Sequence, residues 1–390
     1  MVTASPTSIE LFTGGGGLAW AMHESGYRHV LVNEIERRAC ETLEQARWPL
    51  VAGDVRALDF RAFEGLVDVL AGGVPCQPWS LGGVHGGYDD PRNLWPELFR
   101  CVRESRPRAV IAENVRGLLR PSFRPYYEYI LNELRLPFEQ RVDGEDWRDH
   151  DRRLRKALAR GATDVSERYD VFCLPVNAAD YGVPQIRQRV FVVAFRADLG
   201  LADWQRPPAT HSEAALQLDQ AAGGYWERHG IPARYDAVPP AAADDGLLPW
   251  RTLRDAIADL PEPLGDKVEH PGWLHHVGWP GARSYPGHTP NLLDRPAKTV
   301  KAGVHGVPGG ESVLRRDDGS IRYLTVREVA RIMTFPDHWR LAGPRGEQMR
   351  QLGNAVPPLL GRAMADAVRA ALESAATRGS TVGARIDRVG

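Results

Sequence analysis

Four successive glycines, Gly14–Gly17, stand between a short apolar segment, Ser8–Phe12, and an amphipathic one, Leu18–Ser25. A strand that passes through glycine straight into a helix commits the chain to strand–loop–helix architecture. Glycine alone lets the backbone turn that tightly and approach a ligand closely. The alternation continues for some 200 residues. His29–Asn33, Val67–Ala71, Arg108–Glu113 and Val190–Phe195 have the pattern of buried strands. Glu36–Arg47, Leu94–Glu104 and Tyr126–Leu134 have that of helices. Such a sequence predicts an α/β fold, a Rossmann-like, mostly parallel sheet with helices on both faces. In such sheets functional loops leave the carboxyl ends of the strands. The glycine loop, Glu34, Asp54, the Cys76 loop and Glu113 all stand at such ends.

The rest of the chain divides by composition. Asp146–Arg168 interrupts the alternation with seven Lys/Arg, among them Arg148, Arg152, Arg153 and Arg155. A solvated surface helix is the expectation here, a phosphate-contacting extra limb the alternative. Residues 201–325 are rich in Pro, Trp and His without a clear period and predict a smaller, irregular domain. Thr325–Met333 and Leu359–Leu372 predict helices. Residues 1–200 and about 345–375 are assigned to one catalytic and cofactor-binding domain, about 326–344 to a hinge, and 376–390 to a disordered tail.

Net charge is −1 over 390 residues, which argues against a protein that coats nucleic acid by charge alone. A basic cleft remains compatible with it. Cys40, Cys76, Cys101 and Cys173 have neither disulfide-scaffold nor CxxC spacing, so no metal is expected and a reducing cytoplasm fits. The longest apolar runs fall short of a membrane span, and no leader is apparent.

The remaining signals are chemical. Gly73-Val74-Pro75-Cys76-Gln77-Pro78-Trp79-Ser80 presents a cysteine in a loop stiffened by proline and flanked by glycine. Cysteine is a strong nucleophile near neutral pH and can leave again. Glu113-Asn114-Val115 places an acid at a strand end. In Gln185-Ile186-Arg187-Gln188-Arg189, strand alternation puts Arg187 and Arg189 on one face. Glu34 lies 20 residues past Gly14, where an acid can hold ribose hydroxyls. Gly14-x-Gly16-x-x-Ala19 alone also suits a dinucleotide.

Read together and in order, these segments and Gln351-Leu352-Gly353-Asn354 resemble the DNA (cytosine-5)-methyltransferase family, from about Ser8 to about Ala371. As a single module without large extensions, the chain resembles the enzymes of prokaryotic restriction–modification systems. Phe12-x-Gly14-x-Gly16-Gly17 is similar to the family's S-adenosyl-L-methionine loop. The resemblance implies that Phe12, Gly14, Gly16, Gly17, Glu34, Ile35, Asp54, Val55, Pro75 and Asn354 bind that cofactor. It implies Cys76 as the nucleophile toward carbon 6 of a flipped cytosine and Glu113 as the acid at ring nitrogen 3. Arg189 would reach the base and Arg187 would order the loop or meet phosphate; Gln77, Ser80 and Thr299 would contact DNA. Trp79 stands where the family usually has Phe, a change of packing rather than chemistry. The implied partner is double-stranded DNA, with a separately acting cognate endonuclease, and the implied state is a monomer. Residues 201–325 would form the target-recognition domain, with His270, Trp273, His275, His276, Trp279 and Arg283 as contact candidates. Rival readings are an RNA methyltransferase of the transfer-RNA branch, a nicotinamide oxidoreductase and a DNA-binding module without catalysis. The nicotinamide reading leaves Cys76, Glu113 and Arg189 unexplained together.

Overall fold

The computed structural model describes residues 5–75, 93–161, 164–234, 244–265, 267–283, 289–302 and 312–386. Cys76, Gln77 and Ser80 lie outside the described residues.

A seven-stranded sheet organises the first half. Its strands are β1 (Thr7–Leu11), β2 (Arg28–Glu34), β3 (Leu50–Ala52), β4 (Val69–Gly73), β5 (Ala109–Val115), β6 (Tyr169–Asn177) and β7 (Gln188–Arg196). Their order is β3-β2-β1-β4-β5-β7-β6, parallel except where β7 runs against β5 and β6. The mostly parallel, Rossmann-like sheet expected from the alternation is present. The strand order reverses between β1 and β4, so the loops after these two strands flank the crevice where such sheets bind ligands.

Period-2 alternation sends strand side chains to two cores. Ile9, Leu11, Leu70, Val110, Ala112 and Val192 pack with α3 (Trp95–Ser105) and α4 (Arg124–Arg135). Val69, Ala71, Ile111, Phe191, Val193 and Phe195 pack with α1 (Gly17–Glu24) and α11 (Pro358–Ile386). Between these come α2 (Arg37–Leu43) after β2 and α5 (Trp147–Arg160) after α4. β6 has no counterpart in the sequence pattern. It is the edge strand of the sheet and half-exposed, and it carries Pro175, which only an edge strand tolerates.

The charged insertion forms α5, but only one of its faces is solvated. Leu154 and His150 are fully buried; the Tyr129 hydroxyl meets His150 Nδ1 at 3.0 Å and Asn132 donates to Asp151 at 2.8 Å. Three of its arginines are paired: Arg153 with Glu139 and Glu145, Arg155 with Glu128 and Asp151, and Arg152 with Asp149. Cations already paired within the protein make a poor phosphate-binding limb.

The second region is built from small pieces. α6 (Glu213–Ala222), α7 (Gly224–His229) and α8 (Leu253–Ile257) accompany a two-stranded sheet, β8 (His211–Ser212) with β9 (Leu248–Pro249). A three-stranded sheet joins β10 (Asn291–Leu292), β11 (Val313–Arg315) and β12 (Ile321–Tyr323). α9 (Val326–Ile332) follows, opened by a reciprocal capping box between Thr325 and Glu328.

Two expectations near the end of the chain differ from the structure. Residues 326–344, expected as a hinge, are packed: Ile332, Met333, Phe335 and Trp339 are buried, and Trp339 Nε1 donates to Gly15 O at 3.1 Å. Gly353 and Asn354 end α10 (Arg345–Asn354), and Pro357-Pro358 restarts the chain as α11. α11 also continues to Ile386 through the segment expected to be disordered, whose alanines favour helix. Among the described residues no helix is long and apolar enough to cross a membrane.

Two glycines of the loop are demanded by packing. A Cβ on Gly16, at φ +89°, would lie 2.8 Å from the Trp339 ring, and one on Gly17 would lie 2.1 Å from Val356 O. The second neighbour is backbone and cannot yield. Gly17→Ala is therefore expected to cost about 1–3 kcal/mol of stability by overpacking. Urea unfolding measures this, and an unchanged midpoint would refute the packing argument.

Candidate active site

The crevice at the carboxyl ends of β1, β2 and β4 opens into a cavity of about 650 Å³. Phe12, Gly14, Glu34, Ile35, Asp54, Val55, Pro75 and Asn354 all line it. Gly16 and Gly17 do not; they serve the packing of α1 against Trp339 and Val356. Phe12 holds a left-handed backbone, φ +57°, rare for a bulky side chain and usual where a loop is shaped for a ligand.

Glu34 organises this end of the cavity. One carboxylate oxygen accepts from the Gly14 N–H at 2.6 Å, and the other from Ile35 and Glu36 N–H, both at 2.8 Å. The carboxylate thus couples the glycine loop to the start of α2. Ile35 is 65% exposed, an apolar surface that a flat ring can cover. Asp54 caps the turn after β3 by accepting from Arg56 N–H, and that bond lowers its pKa.

Glu10 is a lining residue that the sequence reading overlooked. It sits fully buried near the end of β1, accepts a backbone bond from Ala19, and leaves Oε2 without a hydrogen-bond partner among the described residues. Burial pushes its carboxyl well above the usual range. An acid inside the apolar run Ile9-Glu10-Leu11 was the available signal. An orphaned buried carboxyl oxygen in a nucleotide-sized cavity suits a ligand that carries positive charge.

At the other end of the cavity stands the acid–arginine pair. Glu113 Oε1 and Arg189 Nε are 2.8 Å apart, with side chains only 9% and 11% exposed. Arg189 lies across β7 from Val115, so it reaches Glu113 diagonally on one sheet face. Burial pushes the Glu113 carboxyl up, against the pull of Arg189 and Arg187. The acid is thereby poised to hold a proton while an arginine fixes its orientation. Asn114 donates to Val74 O at 3.1 Å, tying the end of β5 to the loop that leads into Cys76. Cys76 follows directly on Pro75, which lines the cavity.

Arg187 lines neither this cavity nor its neighbour. It is 1% exposed and donates to Val300 O at 2.9 Å, Gly353 O at 2.7 Å and Ala355 O at 2.9 Å. Its place is that of a clamp on the backbone, away from the reacting groups. A second cavity of about 1400 Å³ adjoins the first; Val115, Arg189, Gly353 and Asn354 line both. Thr299 lines this second cavity, its hydroxyl donating to Ile186 O at 2.8 Å. Two candidate base contacts prove to be internal. His276 is fully buried between the Thr325 hydroxyl, at 3.0 Å, and Pro261 O, at 2.8 Å. His275 accepts the Leu341 N–H at 2.9 Å, and burial pushes its pKa down to about 4.

The sheet order, the glycine loop at the switch point and the acid at the end of β5 define a Rossmann-like methyltransferase. The C-5 cytosine-specific DNA methylase family matches residues 7–136, 156–229 and 287–370. The chain is 32% identical over 373 residues to the type II methyltransferase M.Eco47II of Escherichia coli, covering 93% of this chain and 78% of that one. It is 30% identical over 377 residues to M.NgoMIV of Neisseria gonorrhoeae, covering 94% and 98%. The S. pombe Dnmt2 methyltransferase shares the fold at TM-score 0.56 and 16% identity, covering 95% of this chain and 99% of its own. The chain belongs to the C-5 cytosine-specific DNA methylase family and is a DNA (cytosine-5-)-methyltransferase.

Glu10 gives this site a pH signature. Its native carboxyl keeps a proton that the unfolded chain has already released, so stability falls as pH rises above the ordinary carboxyl range. Glu10→Gln is expected to flatten that decline in unfolding experiments between pH 4 and 8 (a range of about 4 units). A decline as steep as that of the wild type would show that Glu10 is ionised in the native protein.

Proposed function

We propose that this enzyme methylates carbon 5 of a cytosine flipped out of a specific duplex sequence, with S-adenosyl-L-methionine as donor and Cys76 as covalent nucleophile. The observation that carries the reading is the buried Glu113–Arg189 pair at the junction of the two cavities, with Asn114 bonded to the loop before Cys76.

The cofactor fits the smaller cavity on physical grounds. Glu34 offers acceptors for ribose hydroxyls, Ile35 and Phe12 offer apolar faces, and Asp54 stands beside them for an amino group. Glu10 offers a buried carboxyl with an unpaired oxygen, which a positively charged ligand would favour in its ionised form. When bound, the cofactor supplies an electrophilic methyl group. Every other requirement falls on the chain. The Cys76 thiolate bonds to ring carbon 6 and pushes electrons toward nitrogen 3, where Glu113 supplies or shares a proton. Carbon 5 then carries the electron density that takes the methyl group. Loss of the carbon 5 proton to a base restores the double bond and expels the Cys76 thiolate. Arg189 holds Glu113 in line and turns its remaining donors toward the base. Residues 201–325 read the sequence, with Thr299 at the edge of the larger cavity. The biological setting is a prokaryotic restriction–modification system, in which this monomeric cytoplasmic enzyme protects host DNA from a cognate endonuclease acting separately.

Labelled methyl transfer to mixed-sequence duplex DNA tests the reading, with the product nucleoside identified by mass. Wild type is expected to place label in 5-methylcytosine, and Cys76→Ala to place none while still binding cofactor. Normal turnover by Cys76→Ala would sink the covalent mechanism. Glu113→Gln keeps an acceptor for Arg189 but removes the proton. It is expected to slow turnover by roughly 10²–10⁴-fold, the range of general acid catalysis, and single-turnover kinetics would read it.

A further inference from the structure

A run of glycines does not hold its own shape, because glycine has the widest choice of φ and ψ. Within Gly14–Gly17 the freedom is greatest at the peptide between Gly15 and Gly16, which has no side chain on either side. Gly14 and Gly16 take left-handed backbones, φ +57° and +89°. The Gly15–Gly16 peptide is nonetheless held at both of its polar atoms. Its N–H, on Gly16, donates to Thr13 O at 3.1 Å. Its carbonyl, on Gly15, accepts from Trp339 Nε1 at 3.1 Å. The first bond is local; the second arrives from 324 residues along the chain.

Trp339 is itself firmly seated. It is buried, and its carbonyl accepts from Arg327 Nη2 at 3.3 Å. The fully buried Arg327 guanidinium also donates to Leu274 O at 2.9 Å and Pro336 O at 3.2 Å. On Gly15 a Cβ would lie 3.2 Å from the Cβ of Gln351. That glutamine is fixed in turn, accepting from the Thr42 hydroxyl at 2.7 Å and donating to Ala342 O at 2.9 Å. Trp339 does not line the smaller cavity, so it reaches a ligand there only through the loop. Thr13 and Gly14 do line it, and the Gly14 N–H is bonded to Glu34. A turn of the Gly15–Gly16 peptide would therefore disturb the cavity wall directly.

We infer that Trp339 is a positioning residue for the cofactor: its indole N–H orders the glycine loop before the ligand arrives. This rests on the reading of the smaller cavity as the S-adenosyl-L-methionine site. A loop already in its bound shape raises affinity, because binding no longer has to order it. Trp339 is remote from the cytosine-reacting groups, so its effect belongs to cofactor binding and not to the chemical step.

Two substitutions separate the bond from the packing of the ring. Trp339→Phe removes the donor and part of the ring. Trp339→3-benzothienylalanine removes the donor at nearly constant volume. Calorimetric titration with S-adenosyl-L-methionine, without DNA, is expected to show about 2–10-fold weaker binding in both, the worth of one net hydrogen bond. KM for the cofactor should rise by the same factor, while kcat at saturating cofactor and KM for DNA stay unchanged. Amide exchange at Gly16 should quicken in both variants before any ligand is added. Trp48→Phe, in the same ring cluster at a centroid distance of 5.9 Å, should alter none of these. Wild-type affinity in the benzothienyl variant would overturn the inference, even if Trp339→Phe binds weakly. A wild type that binds no S-adenosyl-L-methionine, with exchange at Gly16 still quickened in the variants, would spare the ordering of the loop and overturn the cofactor reading instead.

Discussion

One guanidinium, excluded from water, holds the functional half of the molecule together. Arg187, the residue before β7, reaches to the backbone carbonyls of Val300, Gly353 and Ala355. A buried cation is tolerated only when its donors find acceptors, and carbonyl dipoles are the acceptors here. Those three carbonyls belong to two segments: one returns from the irregular region, the other closes the smaller cavity. The second approach is so close that a Cβ on Gly353 would stand 2.4 Å from Ala302 N. Losing the clamp would leave three carbonyls unpaired and let the mouths of both cavities drift.

The glycine loop depends on that closure. Its glycines divide between two tasks, a distinction that spacing alone does not reveal. Gly14 keeps an open, left-handed turn on the cavity floor, with space where a side chain would project. Gly16 and Gly17 yield room to Trp339 and to the Val356 carbonyl, both delivered by segments more than 300 residues away. Trp339 also bonds Gly15 and meets the Trp20 ring edge-on at a centroid distance of 5.2 Å. The loop's shape is therefore enforced from the far end of the chain.

Charge is sorted with similar economy. Acids concentrate in the smaller cavity, where Glu10, Glu34 and Glu113 are each at least nine-tenths buried. Cations concentrate at the mouth of the larger one. Arg189 stands on the boundary, lining both and paired with Glu113. A positively charged donor and a polyanionic substrate would thus be drawn to opposite sides of one pair of side chains. Near-neutrality of the whole chain, at net charge −1, thus coexists with an uneven distribution of charge between the two cavities.

Much of this was legible in the sequence because it is local. Apolar period marked β1, β2, β4, β5 and β7 to within a few residues, and short ordered motifs carried the family. Where the reading failed, the cause was tertiary. β6 exists because β7 offers it an edge, and its half-exposed, proline-bearing sequence lacks a buried strand's pattern. α5 keeps a buried face because Tyr129 and Asn132 of α4 receive it. Glu10 passed unnoticed because one acid in an apolar run has no period. Arg187 and Arg189, one just before β7 and one within it, illustrate the division best. Residue type and spacing determined that both would be costly to bury without partners and would share a face. Only the folded chain decided that one meets a carboxylate at the junction of two cavities and the other three carbonyls, because those partners arrive from β5, Val300 and the Gly353–Ala355 segment through long-range packing.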